Sequence, residues 1–143
     1  MADLQEIKET FDLLEDWEDR YKYIIDLGKH LEPMDEALKT TATKVNGCIS
    51  QVWMIPETRQ KDGKTILHFV ADSDAFIVKG LIAVLFAVYQ DKTPDEIRQT
   101  DLEPLFEDLK LEEHLSPNRR NGFYAMIERI KSFATGPSLN ENS

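Results

Sequence analysis

The sequence predicts an α+β fold, a small three-stranded antiparallel sheet covered by helices. Three observations predict it. First, two runs of strand-like composition, residues 51–56 and 64–71, are bridged by a polar stretch containing Asp62-Gly63. That dipeptide suits a tight hairpin turn, which needs residues that tolerate positive φ. Second, apolar residues recur at helical spacing both before and after this hairpin. Third, residues 75–89 are apolar nearly all the way round a helix, broken mainly by Lys79 and Gly80. A helix of that kind belongs inside a core, with sheet and helices around it.

The elements follow in order. Leu4, Ile7, Phe11 and Leu14 form a helical stripe, and Asp3 with Glu6 resembles a capping arrangement at its start. A second helix begins near Asp16, carries Trp17, Tyr21, Ile24, Ile25 and Leu31 on its apolar side, and stops before Pro33. Residues 43–46 are read as a short third strand beside the hairpin. Asp72, Ser73 and Asp74 then supply N-cap and first-turn residues for the buried helix. Lys79 within it is expected to bury its stem and extend its ammonium to water, and Gly80 to admit close packing of another element.

Thr93, Pro94 and Glu96 form a capping box with proline at the first helical position. A short helix is expected over 103–109. Ser116-Pro117 opens the last one, with Phe123, Ile127, Ile130 and Ala134 along one side. The end of the chain, GPSLNENS, has nothing to bury and is expected to be disordered. No internal repeat or linker divides the sequence, which gives one domain over 1–135 and a tail over 136–143.

Composition narrows the function. With 17 basic and 27 acidic residues, the net charge is -10. Such a surface repels phosphate backbones and anionic lipid, so nucleic acid and membrane are poor partners, and a basic patch on another protein suits it better. One cysteine cannot close an intramolecular disulfide, which excludes the framework of small secreted proteins. The opening MADLQEIKET lacks a basic start and an apolar stretch, and the apolar run 81–89 is too short to span a bilayer. These features predict a cytoplasmic protein.

Candidate chemistry centres on that cysteine, Cys48, in KVNGCISQVWM. Gly47 can turn the chain and push its neighbour outward, and Asn46 also tolerates turns. Ser50 and Gln51 place polar groups beside the thiol. A cysteine that merely fills a gap is the competing reading. The histidines, His30, His68 and His114, lie on separate predicted elements without ligand-like spacing, which argues against zinc. A cysteine hydrolase needs a base near the thiol, and His68 on the hairpin is the nearest candidate. Its alternation with Ile66 and Val70 equally suits simple packing.

Several stretches together resemble the SufE family of sulfur-acceptor proteins: GCISQVW, ADSDAFIVKGLIAVLF, TPDEI and HLSPNR, in order, within a pattern running from Phe11 to Ala134. One departure is Ile49, where the pattern has glutamine. The resemblance implies a SufE/NifU-like fold with the active cysteine on a loop at the end of the sheet. It implies that Cys48 takes persulfide sulfur from a pyridoxal-phosphate cysteine desulfurase (SufS- or CsdA-like) and stimulates that enzyme. Sulfur then passes to a downstream iron–sulfur assembly complex (SufBCD-like). The desulfurase holds the pyridoxal group, and no cofactor or metal is implied for this chain.

The resemblance also singles out Asp74 and Arg119, which together with the turn residue Gly47 are expected to support the loop or touch the partner. Asp74 doubles as a first-turn carboxylate, which favours the positive end of a helix. Arg119, early in a helix, gains nothing from that dipole. A scaffold of the related U type needs several cysteine ligands, and this chain has one. The alternatives from other classes are a stand-alone thiol hydrolase and a pure interaction module.

Overall fold

The computed structural model describes residues 3–48 and 50–135. Ile49, the departure from the family pattern, and the tail over 136–143, expected to be disordered, lie outside the described residues. The elements are helices α1 (Leu4–Leu13) and α2 (Trp17–Gly28), a short 3₁₀ turn (Glu36–Leu38), strands β1 (Val52–Lys61) and β2 (Lys64–Ser73), then α3 (Phe76–Tyr89), α4 (Pro94–Gln99), α5 (Glu103–Leu109), α6 (Leu111–His114) and α7 (Pro117–Thr135).

The sheet differs from expectation. Among the described residues it has two antiparallel strands, paired from Val52↔Ser73 to Lys61↔Lys64. The segment read as a third strand contributes only an isolated bridge, Lys44↔Trp53. Val45 N–H donates to the Val52 carbonyl at 2.8 Å, and Met54 N–H to the Thr43 carbonyl at 2.9 Å. The ladder cannot propagate because the chain turns on both sides of it. Thr43 N–H closes a turn onto the Thr40 carbonyl at 3.2 Å, and Gly47 takes a φ of 94°.

The hairpin is also longer than its apolar pattern. Asp62 and Gly63, with φ of 51° and 76°, make the expected turn, and the ladder runs right up to it through exposed polar residues. Backbone pairing and a cross-strand hydrogen bond from Gln60 Nε2 to Thr65 Oγ1 at 2.9 Å carry that outer end, and the exposed polar side of β1 gives no apolar periodicity to announce it.

Helix α3 is the hub. It buries Val78, Tyr89 and every residue from Gly80 to Phe86, and it packs against α2, β2, α7 and α1. Helix α2 approaches through a pair of glycines. A Cβ added to Gly28 would lie 2.6 Å from the Gly80 nitrogen, and one added to Gly80 would collide with the Ile24 carbonyl. The close packing expected at Gly80 is thus present, with Gly28 as its counterpart. Helix α2 ends at Gly28, short of Pro33, and Leu31 follows in a turn.

Capping is mixed. Asp3 and Asp16 accept the N–H groups of Glu6 and Asp19 at 2.9 Å, and the Thr93–Glu96 box is complete. The start of α3 departs from expectation. Its N-cap is Ala75, which has no side-chain acceptor to cap with; the carboxylates of Asp72 and Asp74 bond elsewhere, and Ser73 Oγ accepts only the Ala75 N–H, at 3.2 Å. Residues 103–114 form two short helices, divided where Lys110 takes a left-handed φ of 55°.

The outer edge of β2 is closed by the chain after α3. The Gln90 carboxamide bonds both Phe69 backbone groups, at 2.6 and 2.8 Å, and Leu67 N–H reaches the Lys92 carbonyl at 2.9 Å. Nearby, buried His68 ties three segments together. Its Nδ1 lies 2.8 Å from Asp91 Oδ1, and its Nε2 lies 2.9 Å from Glu32 Oε1. A neutral imidazole has one N–H and cannot donate to both carboxylates. Burial opposes the charge on His68, but the bonds to Glu32 and Asp91 outweigh it and raise its pKa.

This packing can be tested at two places. Gly80→Ala should destabilise the protein by about 3 kcal/mol or more, because backbone rather than a flexible side chain meets the new methyl. Urea unfolding measures this, and a loss under about 0.5 kcal/mol would show that α2 and α3 separate at little cost. For His68, a raised folded pKa means stability present in full below the unfolded value of about 6.5, and lost as pH rises through the folded value. The stability difference between wild type and His68→Gln should therefore shrink from mildly acidic to alkaline pH. A difference independent of pH would show that the ring is not charged in the folded state.

Candidate functional site around Cys48

Cys48 stands on the loop between the Lys44 bridge and β1, at the end of the hairpin remote from the Asp62-Gly63 turn. Gly47 is exposed and left-handed, a conformation in which a side chain is strained. This turn delivers Cys48 onto α7. The thiol is half-buried and donates to the Gly122 carbonyl, with Sγ 3.6 Å from the oxygen. Burial pushes its pKa up from the ordinary cysteine range.

On its far side the loop is clasped by Asp74. The Asp74 carboxylate accepts from Gln51 N–H at 3.0 Å, and Asp74 N–H donates to the Gln51 carbonyl at 3.2 Å. Asp74 is exposed and caps no helix. Its contact is with the cysteine loop.

A cavity of about 270 Å³ adjoins the thiol. Val78 and Leu81 of α3 and Phe123 and Met126 of α7 form its apolar wall, and Ser50 and Arg119 add polar groups. Arg119 is exposed in the first turn of α7, where Ser116 Oγ accepts its backbone N–H at 3.3 Å. The structure therefore brings Arg119 and Cys48 to one cavity, while Asp74 acts on the loop from outside it.

None of the histidines lines this cavity. His68 is held by Glu32 and Asp91, and the His114 ring stacks on Trp17 with centroids 3.8 Å apart. The base that a cysteine hydrolase needs is thus missing from the cavity lining. Among the described residues no cluster of three or more His, Cys, Asp or Glu side chains is arranged to hold a metal.

Sequence reading missed the base of the loop. Asp72 binds Lys39 at 2.8 Å and Lys79 at 3.5 Å, and it accepts Ser73 N–H at 2.8 Å. Burial works against its charge, yet these partners hold its carboxyl below the usual range. Lys79 does not simply extend to water, since it shares this carboxylate. Lys39 also lies 5.4 Å from the Trp53 ring centroid. No local pattern announces this cluster, since an apolar run separates Asp72 from Lys79 and Lys39 is far from both in sequence.

The family described as “SufE: Fe-S metabolism associated domain” matches residues 5–134. The chain belongs to the SufE family. An uncharacterized SufE-like protein of Rhizobium meliloti (strain 1021) is 43% identical over 136 residues, covering 95% of this chain and 97% of that one. Another from Rhizobium etli is 43% identical over 134 residues, covering 94% and 90%. The solution structure of a hypothetical protein from Thermus thermophilus superimposes with a TM-score of 0.69. It covers 92% of this SufE-family chain and 93% of that one. At 18% identity that likeness speaks for the α+β fold alone. Among the described residues no helix is long and apolar enough to cross a membrane.

Proposed function

We propose that this SufE-family protein is a sulfur carrier. Cys48 accepts persulfide sulfur from a pyridoxal-phosphate cysteine desulfurase of the SufS or CsdA kind, and passes it to an iron–sulfur assembly complex resembling SufBCD. The observation that carries the reading is the placement of the chain's one thiol, on a turn that two separate contacts hold against a cavity.

The chemistry is thiol exchange. The Cys48 thiolate attacks the terminal sulfur of the desulfurase persulfide. A new S–S bond forms on Cys48, the old one breaks, and the desulfurase cysteine leaves as a thiolate. The Cys48 proton goes to solvent, and nothing is oxidised overall. Relieving the desulfurase of its sulfur frees its cysteine for the next turnover, which accounts for stimulation without catalysis by this chain. A single cysteine favours the task, because a second would displace the persulfide sulfur and leave a disulfide.

Transfer needs movement. A thiol that is half-buried, protonated and bonded to Gly122 is a poor nucleophile, whereas an exposed persulfide is open to reductants. An equilibrium between a tucked and an extended loop meets both demands, with the desulfurase binding the extended form more tightly. Asp74 favours the tucked form through Gln51, Gly47 supplies the turn, and Arg119 is placed to meet the partner or the anionic sulfur. The acidic surface suits a basic patch on the desulfurase.

Mass spectrometry after incubation with desulfurase and cysteine tests the carrier role. Wild type should gain about 32 Da, one sulfur atom reducible by thiols, and Cys48→Ser should gain nothing. An adduct on the serine variant would end the carrier reading. For Asp74→Ala, loss of the clasp should speed alkylation of Cys48 in the free protein and strengthen desulfurase stimulation at limiting concentration. A folded variant unchanged in both respects would remove Asp74 from the mechanism.

A further inference from the structure

The contact between Cys48 and α7 has a chemical and a steric side. Chemically, a thiol has one proton to donate, and Cys48 gives it to the Gly122 carbonyl at 3.6 Å. A thiolate in the same place would face the partial negative charge of that oxygen with no proton between them. The tucked position therefore suits the protonated sulfur and rejects the nucleophilic form. Burial acts in the same direction on the thiol.

Sterically, α7 presents the loop with a surface nearly free of side chains. A Cβ added at buried Gly122 would lie 3.4 Å from Cys48 Sγ, 3.7 Å from its Cβ and 3.8 Å from its Cα. An alanine methyl there would make ordinary contact, and anything larger would enter the space the loop occupies. One turn further along, the Ala125 methyl lies 3.2 Å from the place a Gly47 Cβ would take. The loop thus sits on α7 at two consecutive residues, and both contacts depend on missing side-chain bulk.

We propose that Gly122 is a positioning residue for sulfur transfer: its bare Cα and its carbonyl oxygen form the seat that holds Cys48 tucked and protonated, so that the nucleophile arises only when the loop leaves α7. The link to sulfur transfer rests on the carrier reading above, but the seat itself is a property of the free protein. Asp74 holds the loop by its backbone, whereas Gly122 reads the state of the sulfur.

Iodoacetamide alkylation of the full-length protein, without any partner, tests this across a pH range from about 6 to 10. Gly122→Ala should stay within about twofold of the wild-type rate, since its methyl reaches only contact distance. Gly122→Val should alkylate at least about tenfold faster at neutral pH, with its midpoint moved down toward free cysteine, as a shift to the extended loop requires. A folded valine variant with the wild-type rate and midpoint would overturn the proposal. So would one that is merely less stable, with its midpoint unmoved.

If the valine variant does not fold, Gly47→Ala makes the same test from the exposed loop side. It strains a φ of 94° and sets a methyl 3.2 Å from Ala125. Faster alkylation supports the seat, and an unchanged rate refutes it. These readouts need no desulfurase, so the two ideas fail separately. A wild type that takes up no sulfur refutes the carrier and leaves the seat standing, whereas a valine variant that behaves as wild type refutes the seat alone.

Discussion

The constraint on which the structure depends is that α3 has no polar side. Every residue from Gly80 to Phe86 is buried, so the helix must be enclosed by other elements. Helix α2 can lie close enough only because Gly28 and Gly80 carry no side chains where the backbones meet. β2 covers another side, where its Phe69 stacks with Phe86 of α3 and with Phe133 of α7. α7 completes the enclosure, which lays Gly122 directly beneath Cys48. The site is thus assembled by the same packing that buries the central helix.

This arrangement sets the terms for the chemistry. The residues just before α3 do not cap it; they hold what lies around its start. Asp72 gathers Lys39 and Lys79, and Asp74 clasps Gln51. The helix forgoes side-chain capping there, a contribution that typically amounts to about 1 kcal/mol. In exchange, the loop carrying the thiol is fixed by a few exposed or half-exposed hydrogen bonds. Contacts of that kind open at low free-energy cost, which is the property a loop needs if a partner is to draw it out.

Much of this was legible in the sequence because it is local. The apolar stripe Ile7–Phe11, the Thr93–Glu96 box and the Asp62-Gly63 turn each depend on neighbours a few residues apart. Cys48 stood out through its turn context, and the SufE resemblance supplied the chemistry that a lone thiol cannot specify. What was not legible is tertiary. The third strand failed because turns on both sides limit it to a single bridge. Asp74 lost its capping role to a residue on another loop. His68 meets carboxylates from two other segments, and Lys39 meets Asp72 across the fold. Gly122 offered no signal at all, since a glycine within a helix looks like a defect until the cysteine is seen lying on it.

The central claim is that sulfur moves onto Cys48 itself, and that stimulation of the desulfurase is a consequence of this transfer. The most direct measurement is a single-turnover chase, in which desulfurase loaded with radiolabelled persulfide and freed of substrate is mixed with this protein. The account predicts that label leaves the desulfurase and appears in equal amount on this chain, at no more than the one sulfur per chain that its one cysteine allows, and that thiol reductants release it. Label that stays on the desulfurase, while multiple-turnover activity still rises, would contradict the account and make this protein an activator that carries nothing.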